Sequence, residues 1–265
     1  MKNHTFRYRL LLSNLLFLLL MLAPNAAWAK SFRLFLEPDA KEVYKEIEGK
    51  SLDLHIFYPD DTVPSEPAPA IVFFHGGGFS KGRPKSFYFA CDYFASRGMV
   101  AMSVRYRLAK GKDKIKCLKD AKSAMRYIIK NADTFGIDPD RIVSAGGSAG
   151  GSLAGAVATS RIINEETDDL SITIDPVALV LFNPIGVGTK KPSGFMLWSP
   201  EVTADFTPGT SLHSEMPPVL CLWGENDKFV GPRGMKRFQE AVQALGVRCE
   251  IEIYPGQAHS FFDNT

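Results

Sequence analysis

One serine of this sequence is surrounded by residues with almost no side chain, in the segment GGSAGG at residues 146–151. An apolar strand-like run at residues 142–145 precedes the segment, and a helix-like stretch follows it. These apolar neighbours exclude a flexible linker, and a phosphate-binding loop is excluded because no lysine follows at the required spacing. The remaining interpretation is G-x-S-x-G, in which Gly146 and Gly150 permit a sharp turn that presents Ser148 as a nucleophile.

A second glycine-rich segment, HGGGF at residues 75–79, follows the apolar run AIVFF directly. When a serine attacks a carbonyl group, negative charge develops on one oxygen, and backbone N–H groups in fixed positions stabilise it. Glycines allow the backbone to approach that oxygen closely. The predicted donors of such an oxyanion hole are the N–H groups of Gly77, Gly78 and Ala149. His75 and Gly76 are predicted to brace the loop.

Two further side chains complete the set that nucleophilic catalysis by serine requires. Asp227 follows an apolar run, where a carboxylate can orient a histidine; Glu225 competes for this role, but the spacing D-x-x-V favours Asp227. His259 follows the last apolar run of the chain and completes the order Ser, Asp, His along the sequence. We therefore predict Ser148 as the nucleophile, His259 as the base and Asp227 as its orienting carboxylate.

Strand-like and helix-like segments alternate along the chain. The predicted strands cover residues 52–58, 70–74, 100–104, 142–145, 178–182, 219–223 and 249–254. The predicted helices cover residues 87–96, 117–128, 152–161 and 236–245. This alternation predicts an α/β fold with a mostly parallel sheet, in which ligands bind at the carboxyl ends of the strands.

The first 29 residues have the composition of a signal peptide. Three basic residues precede an apolar run at residues 10–23, and Ala27-Trp28-Ala29 supplies a small-x-small cleavage pattern. An uncleaved anchor is the weaker alternative, because a membrane-spanning helix needs about 20 apolar residues. We predict cleavage after Ala29, a secreted or periplasmic protein without a stable membrane span, and one domain over residues 30–265.

Charge gives no indication of a nucleic-acid partner. The chain has 31 basic and 29 acidic residues, and three of the basic ones belong to the predicted signal peptide, which leaves a net charge of −1. Lysines between Lys110 and Lys122 have no interleaved aromatic residues, so they predict a solvated helix face and not a nucleic-acid site.

The four cysteines, Cys91, Cys117, Cys221 and Cys249, lie in or beside apolar stretches and lack the spacing of a zinc site. One interpretation is that they are buried free thiols. Export would also permit a disulfide, for which Cys91–Cys117 is the candidate.

HGGGF, GGSAGG, the Asp227 turn and AHSFF together resemble the hormone-sensitive-lipase-like group of α/β-hydrolases, especially its bacterial acetyl esterases and carboxylesterases. The likeness runs from about Tyr44 to Phe262. It implies an α/β-hydrolase fold with helices on both faces of the sheet and a minimal cap, since little chain precedes Tyr44. The elbow departs from the GDSAGG of many relatives at Gly147. The group normally adds a closing C-terminal helix, which is expected to be lacking here.

The resemblance implies a secreted serine esterase that needs no metal or organic cofactor. Its expected substrate is a small short-acyl ester or an acetylated saccharide such as acetylated xylan. The predicted pocket residues are Phe79, Phe195, Met196 and Trp198, although the last three can equally serve to pack the insert at residues 186–216. The alternatives are a non-catalytic binding protein of this fold, or a lipase or peptidase.

Overall fold

A computed structural model of the chain describes residues 36–187 and 200–263. Its strands, which all lie in the unit that begins at Pro38, are β1 (Ala40–Ile47), β2 (Lys50–Phe57), β3 (Ala68–Phe74), β4 (Val100–Val104), β5 (Ile137–Gly147), β6 (Ala178–Phe182), β7 (Val219–Gly224) and β8 (Cys249–Tyr254). They form one sheet in the order β1-β2-β4-β3-β5-β6-β7-β8. The pairs β1–β2 and β2–β4 are antiparallel and all others are parallel, as predicted for an α/β-hydrolase fold.

Helices cover both faces of this sheet. Within the described ranges they are α1 (Tyr88–Ala95), α2 (Ile115–Lys130), α3 (Ala132–Phe135), α4 (Ala149–Thr159), α5 (Pro200–Phe206) and α6 (Pro232–Gln243). Successive side chains of a strand point to opposite faces. On β3, Phe74 joins the core that contains apolar residues of α2 and α4, whereas the ring of Phe73 packs against Phe94 of α1. The helices α1 and α2 therefore lie on opposite faces.

The predicted strands and helices are present, with shifted ends. β5 begins at Ile137 instead of residue 142, and α4 begins at Ala149, directly after the predicted nucleophile. The sequence prediction missed β1, because most of its residues are charged or exposed and only Tyr44 is buried. Glu48 and Gly49, both with positive φ, form a two-residue turn that pairs β1 with β2.

The candidate disulfide Cys91–Cys117 is wrong: all four cysteines are free and buried. Cys117 lies in α2 and belongs to the core shared with α4, whereas Cys91 lies in α1 on the other face of the sheet. The sheet separates the two sulfur atoms, so they cannot form a bond. The interpretation of the cysteines as buried free thiols is confirmed.

The predicted solvated lysine face is wrong for part of α2. Lys122 is only 3% exposed, and its Nζ donates to the carbonyl of Ser160 at 3.1 Å. Burial lowers the pKa of this ammonium group to about 8. The difference arises because the segment after α4 covers the helix, which local sequence periodicity does not report. Lys116 and Lys119 remain partly exposed and pair with Glu48 and Glu165.

Several predictions concern residues outside the described ranges. These are the signal peptide at residues 1–29 and the pocket residues Phe195, Met196 and Trp198. None of the helices in the described ranges combines the length and the apolar character that crossing a bilayer requires.

Candidate active site

Ser148 occupies the turn between β5 and α4 with φ 55° and ψ −118°, a conformation that non-glycine residues rarely adopt. Its main chain is fixed on both sides. The N–H donates to the carbonyl of Phe182 at 2.9 Å, and the carbonyl accepts from the N–H groups of Ser152 at 3.1 Å and Ile185 at 3.3 Å. These bonds to the end of β6 and to α4 keep the strained turn in place.

The two predicted elbow glycines are required by close approach of the backbone. A Cβ atom at Gly150 would lie 1.9 Å from the carbonyl oxygen of Phe74, and one at Gly146 would lie 2.4 Å from that of Gly150. No side chain fits at such distances. The glycines therefore allow the turn to pack directly on β3, as the sequence predicts.

The structure brings Ser148, His259 and Asp227 together in one hydrogen-bonded row. His259 Nε2 lies 2.7 Å from Ser148 Oγ, and His259 Nδ1 lies 2.9 Å from Asp227 Oδ2. The other carboxylate oxygen, Asp227 Oδ1, accepts from the N–H groups of Phe229 at 2.7 Å and Val230 at 3.3 Å. In the tautomer that protonates Nδ1, Nε2 is an acceptor directed at the serine hydroxyl.

Asp227 is kept in its charged form. Burial by itself would raise the pKa of this carboxyl group, but the hydrogen bonds from His259 and from the N–H groups of Phe229 and Val230 outweigh burial and lower the pKa below its ordinary value. A charged Asp227 can stabilise the imidazolium that forms when His259 takes a proton.

A buried asparagine that the sequence analysis missed holds His259 in place. Asn183 follows β6 directly and is fully buried, with φ 41°. Its side-chain amide donates to the carbonyls of Ala258 and His259, and its Oδ1 accepts from the N–H of Gly224 at 2.9 Å. A polar residue directly after an apolar strand, at the carboxyl edge of the sheet, is the signal that could have identified it.

The predicted oxyanion-hole loop makes a tight turn, with φ 114° at Gly77 and φ 61° at Gly78. The carbonyl of Gly77 accepts from the N–H groups of Ser80 and Lys81, and a Cβ atom at Gly77 would lie 2.1 Å from the carbonyl oxygen of Lys81. Among the described residues, none accepts a hydrogen bond from the N–H groups of Gly77 or Gly78. Ala149 is the first residue of α4, where an N–H has no acceptor within the helix.

His75 lies behind this loop and not in the row of hydrogen bonds. Its Nδ1 is 2.8 Å from the carbonyl oxygen of Gly76, and its ring stacks on Tyr106 with centroids 4.2 Å apart. The hydroxyl of Tyr106 donates to the carbonyl of His75 at 2.7 Å. Burial lowers the pKa of His75 to about 4, so the ring is neutral near pH 7. This geometry fits the predicted bracing role of His75 and Gly76.

A cavity of about 1110 Å³ opens at Ser148 and His259. Phe79 borders it but is only 2% exposed, because its ring packs edge-on against Phe206. The cavity also borders Phe229, which is 71% exposed. Across the described ranges, no three histidine, cysteine or acidic side chains cluster as metal ligands would. The site thus offers a serine, an imidazole and backbone donors facing an open, largely apolar space.

The sheet order, the strained serine turn and the Ser–His–Asp row define an α/β-hydrolase. Two family models match the chain: BD-FAE over residues 54–177 and the dienelactone hydrolase family over residues 210–265. Among solved structures, esterase 2 of Thermogutta terrifontis, in a propionate-bound form, is 34% identical, with 84% of this chain and 85% of that chain covered and a TM-score of 0.75. A butyrate-bound form of the same esterase is 33% identical, over 84% of this chain and 85% of that one, and has the same TM-score.

Several curated relatives are also named as esterases or ester hydrolases. Ethyl acetate hydrolase of Pseudomonas putida is 29% identical over 81% of this chain and 72% of its own length. Acetylxylan esterase of Xylanibacter ruminicola is 25% identical over 92% of this chain, which spans only 48% of that enzyme. The chain belongs to the carboxylic ester hydrolases of the α/β-hydrolase superfamily, in the hormone-sensitive-lipase-like group.

Proposed function

We propose that this chain hydrolyses short-acyl carboxylic esters through a serine acyl-enzyme. The observation that carries the proposal is the row of hydrogen bonds from Ser148 through His259 to Asp227, at 2.7 Å and 2.9 Å. Ser148 presents its hydroxyl on a strained turn at the edge of a cavity, which is the arrangement that an attacking serine needs.

In the acylation step, Ser148 Oγ attacks the ester carbonyl carbon while His259 Nε2 takes the hydroxyl proton. The carbonyl oxygen becomes an oxyanion, and the N–H groups of Gly77, Gly78 and Ala149 are the donors for it. The tetrahedral intermediate then expels the alcohol, which receives the proton from His259. The acyl group remains on Ser148.

In the deacylation step, His259 Nε2 takes a proton from a water molecule while the oxygen of that water attacks the acyl carbonyl carbon. The same backbone donors stabilise the second oxyanion. When this intermediate collapses, the acid leaves and Ser148 Oγ regains its proton from His259. Atoms balance as one ester and one water giving one acid and one alcohol, and no cofactor takes part.

The relatives support a short acyl group. The Thermogutta terrifontis esterase is described with propionate and with butyrate bound, and the Pseudomonas putida relative is named for ethyl acetate. The cavity, at about 1110 Å³, is much larger than an acetyl group and has room for a bulky alcohol. Together with the acetylxylan esterase likeness, this supports an acetylated saccharide as the substrate. Secretion, with cleavage after Ala29, is part of this proposal, and N-terminal sequencing of the exported protein tests it.

The variant Ser148→Ala tests the mechanism. We expect it to lower kcat for p-nitrophenyl acetate by about 10⁶-fold, because the hydrogen-bonded row acts as a unit. A fluorophosphonate probe should label wild-type protein on the peptide that contains Ser148. Ser144→Ala is the matched control, since Ser144 lies in β5, the strand that leads to Ser148, is fully buried and donates to the carbonyl of Ala154. Activity that survives Ser148→Ala would reject the proposal.

A substrate panel tests the specificity. Acetate release from acetylated xylan is compared with hydrolysis of tributyrin and of p-nitrophenyl esters of increasing acyl length. We expect kcat/KM to fall as the acyl chain lengthens beyond about four carbons and the acetylated saccharide to be hydrolysed. A preference for long-chain esters would contradict the short-acyl assignment and favour a lipase.

A further inference from the structure

Gly147, the residue before the nucleophile, is a glycine for a different reason from its neighbours. Its φ does not lie in the left-handed region, so its backbone conformation does not require glycine. A Cβ atom there would lie 2.2 Å from Cε2, 2.5 Å from Cζ and 2.6 Å from Cδ2 of Phe262. At Gly146 and Gly150 the obstacles are backbone atoms, whereas at Gly147 the obstacle is one aromatic ring.

The ring of Phe262 lies where the serine turn, the glycine loop and the aromatic core meet. It stacks on Phe87 with centroids 5.8 Å apart and an interplanar angle of 8°, and it contacts Phe182 at 5.9 Å. A Cβ atom at Gly76 would lie 3.7 Å from Cε2 of the same ring. Phe262 is thus fixed by packing from several sides.

Phe262 also belongs to the turn that carries His259. Within this histidine turn, residues 258–263, the N–H of Phe261 donates to the carbonyl of Ala258 at 3.2 Å, and that of Asp263 donates to the carbonyl of Ser260 at 2.9 Å. The turn therefore contacts two consecutive residues of the elbow. The imidazole of His259 meets Ser148, and the ring of Phe262 fills the space at Gly147.

We propose that Phe262 is a positioning residue for His259. Its ring, seated against Gly147, sets how closely the histidine turn approaches the elbow and so fixes the distance between His259 Nε2 and Ser148 Oγ. This inference rests on the proposed function. Its specific consequence is that residues 147 and 262 depend on each other, because a side chain at position 147 displaces the ring and moves the base.

A double-mutant cycle of Gly147→Ala and Phe262→Ala tests this dependence. We expect Phe262→Ala to lower kcat about 10- to 100-fold, since a base misplaced by about 1 Å can cost about 10²-fold. Gly147→Ala should lower kcat comparably, because its methyl group displaces the ring. In the double variant the methyl group occupies vacated space, so kcat should stay within about threefold of Phe262→Ala, and KM should change less than about threefold throughout.

Two controls separate positioning from loss of stability. Phe94→Ala removes a different ring, which lies in α1 and packs on Phe73 with centroids 5.9 Å apart, and should retain kcat within about threefold. Phe262→Leu keeps an apolar group against Gly147 and should recover part of the kcat lost in Phe262→Ala. Free energies of unfolding by urea are measured for every variant, and kcat is corrected for the folded fraction.

The outcomes distinguish this inference from the proposed function. If wild-type protein hydrolyses esters and Ser148→Ala does not, but the two single effects multiply in the double variant, the positioning role is wrong. Unchanged kcat in Phe262→Ala, with only a loss of stability, would also overturn it. A wild-type protein without esterase activity would reject the proposed function and this inference with it.

Discussion

Two clusters of buried and half-buried polar groups in this molecule contain similar residues but serve different purposes. One is the row of Ser148, His259 and Asp227. The other, the ion network, consists of Lys45 in β1, Arg107 in the segment after β4, Asp120 in α2 and Glu165 in the segment after α4. Asp120 is fully buried, and both of its oxygens accept from Arg107, at 2.8 Å each, while Lys45 Nζ lies 2.9 Å from Oδ1.

Perturbed ionisation does not tell the two clusters apart. Burial would raise the pKa of Glu165, but the hydrogen bond and charge of Lys45, with Lys119 and Arg107, lower it to about 2. Asp227 is shifted in the same direction for the same kind of reason. The two clusters differ in whether their last polar group is paired within the protein or faces a cavity. In the ion network the charges satisfy one another, whereas the row at the elbow ends in a hydroxyl that faces a cavity.

The largest expected effect is a loss of catalytic activity when the carboxylate of the Ser148–His259–Asp227 row is changed. Asp227→Asn keeps an oxygen for the N–H groups of Phe229 and Val230 but no longer fixes the tautomer of His259. We expect kcat for p-nitrophenyl acetate to fall about 10⁴-fold. Steady-state kinetics measure this fall, and urea unfolding should show a folded protein. Retention of more than about a tenth of wild-type kcat would place the catalytic carboxylate elsewhere, with Glu225 as the first candidate.

The next effect is on stability. Asp120→Ala leaves Arg107 and Lys45 buried without their carboxylate, and we expect the free energy of unfolding to fall by about 3–5 kcal/mol. The folded fraction should keep its kcat/KM, since Asp120 does not border the cavity. Glu48→Ala is the control: Glu48 pairs with the same Arg107 at 3.3 Å but is half exposed, and its removal should cost far less than that of Asp120. If the fully folded Asp120→Ala variant lost kcat, the ion network would also contribute to catalysis, and the two clusters would not be independent.

A pH dependence distinguishes the buried neutral His75 from both clusters. Because its folded-state pKa, about 4, lies below the ordinary value of 6.5, the unfolded chain binds more protons between these pH values. Stability from this group is complete above pH 6.5 and declines on acidification to pH 4, by about 3 kcal/mol in total. His75→Asn should flatten this part of the profile of unfolding free energy against pH. Equal slopes for the variant and the wild type would show that His75 binds as many protons in the folded protein as in the unfolded chain, which would contradict its low folded-state pKa.

The smallest expected effect concerns the rim of the cavity. The ring of Phe229 is 71% exposed and lies against the imidazole of His259, with centroids 4.4 Å apart. Phe229→Ala removes this apolar surface but keeps the N–H that holds Asp227. We expect KM for esters of bulky alcohols to rise about three- to tenfold with kcat nearly unchanged. Methyl esters serve as the comparison, and an equal rise for them would mean that the ring does not contact the alcohol portion.

Much of the site could be predicted from the sequence because its determinants are local. The glycine spacing around Ser148 encodes a turn, and Asp227 and His259 each follow a strand that parallel topology brings to the same edge. The placement of Gly77 and Gly78 follows from the same rule. Such short patterns can be recognised in the sequence without knowledge of contacts between distant residues.

The features that the sequence did not predict depend on long-range packing. Asn183 acts on carbonyls 75 and 76 positions away, and Arg107 meets Glu165 across 58 positions. Burial of Lys122 depends on a segment that folds over α2, and β1 becomes a strand only by pairing with β2. The contact of Phe262 with Gly147 is of the same kind, since nothing near either residue in the sequence indicates the other.

Because β8 is an edge strand of the sheet, its position affects how the protein loses activity on heating. Among the strands that the structure describes, β8 pairs with β7 alone, and the segment after it carries His259, whereas Ser148 follows β5 in the interior of the sheet. Edge strands unfold locally at a lower free-energy cost than strands in the interior of a sheet. Local unfolding of β8 would move His259 away from Ser148, while Ser148 stays in place at the end of β5. On heating, activity should therefore be lost before the helices unfold.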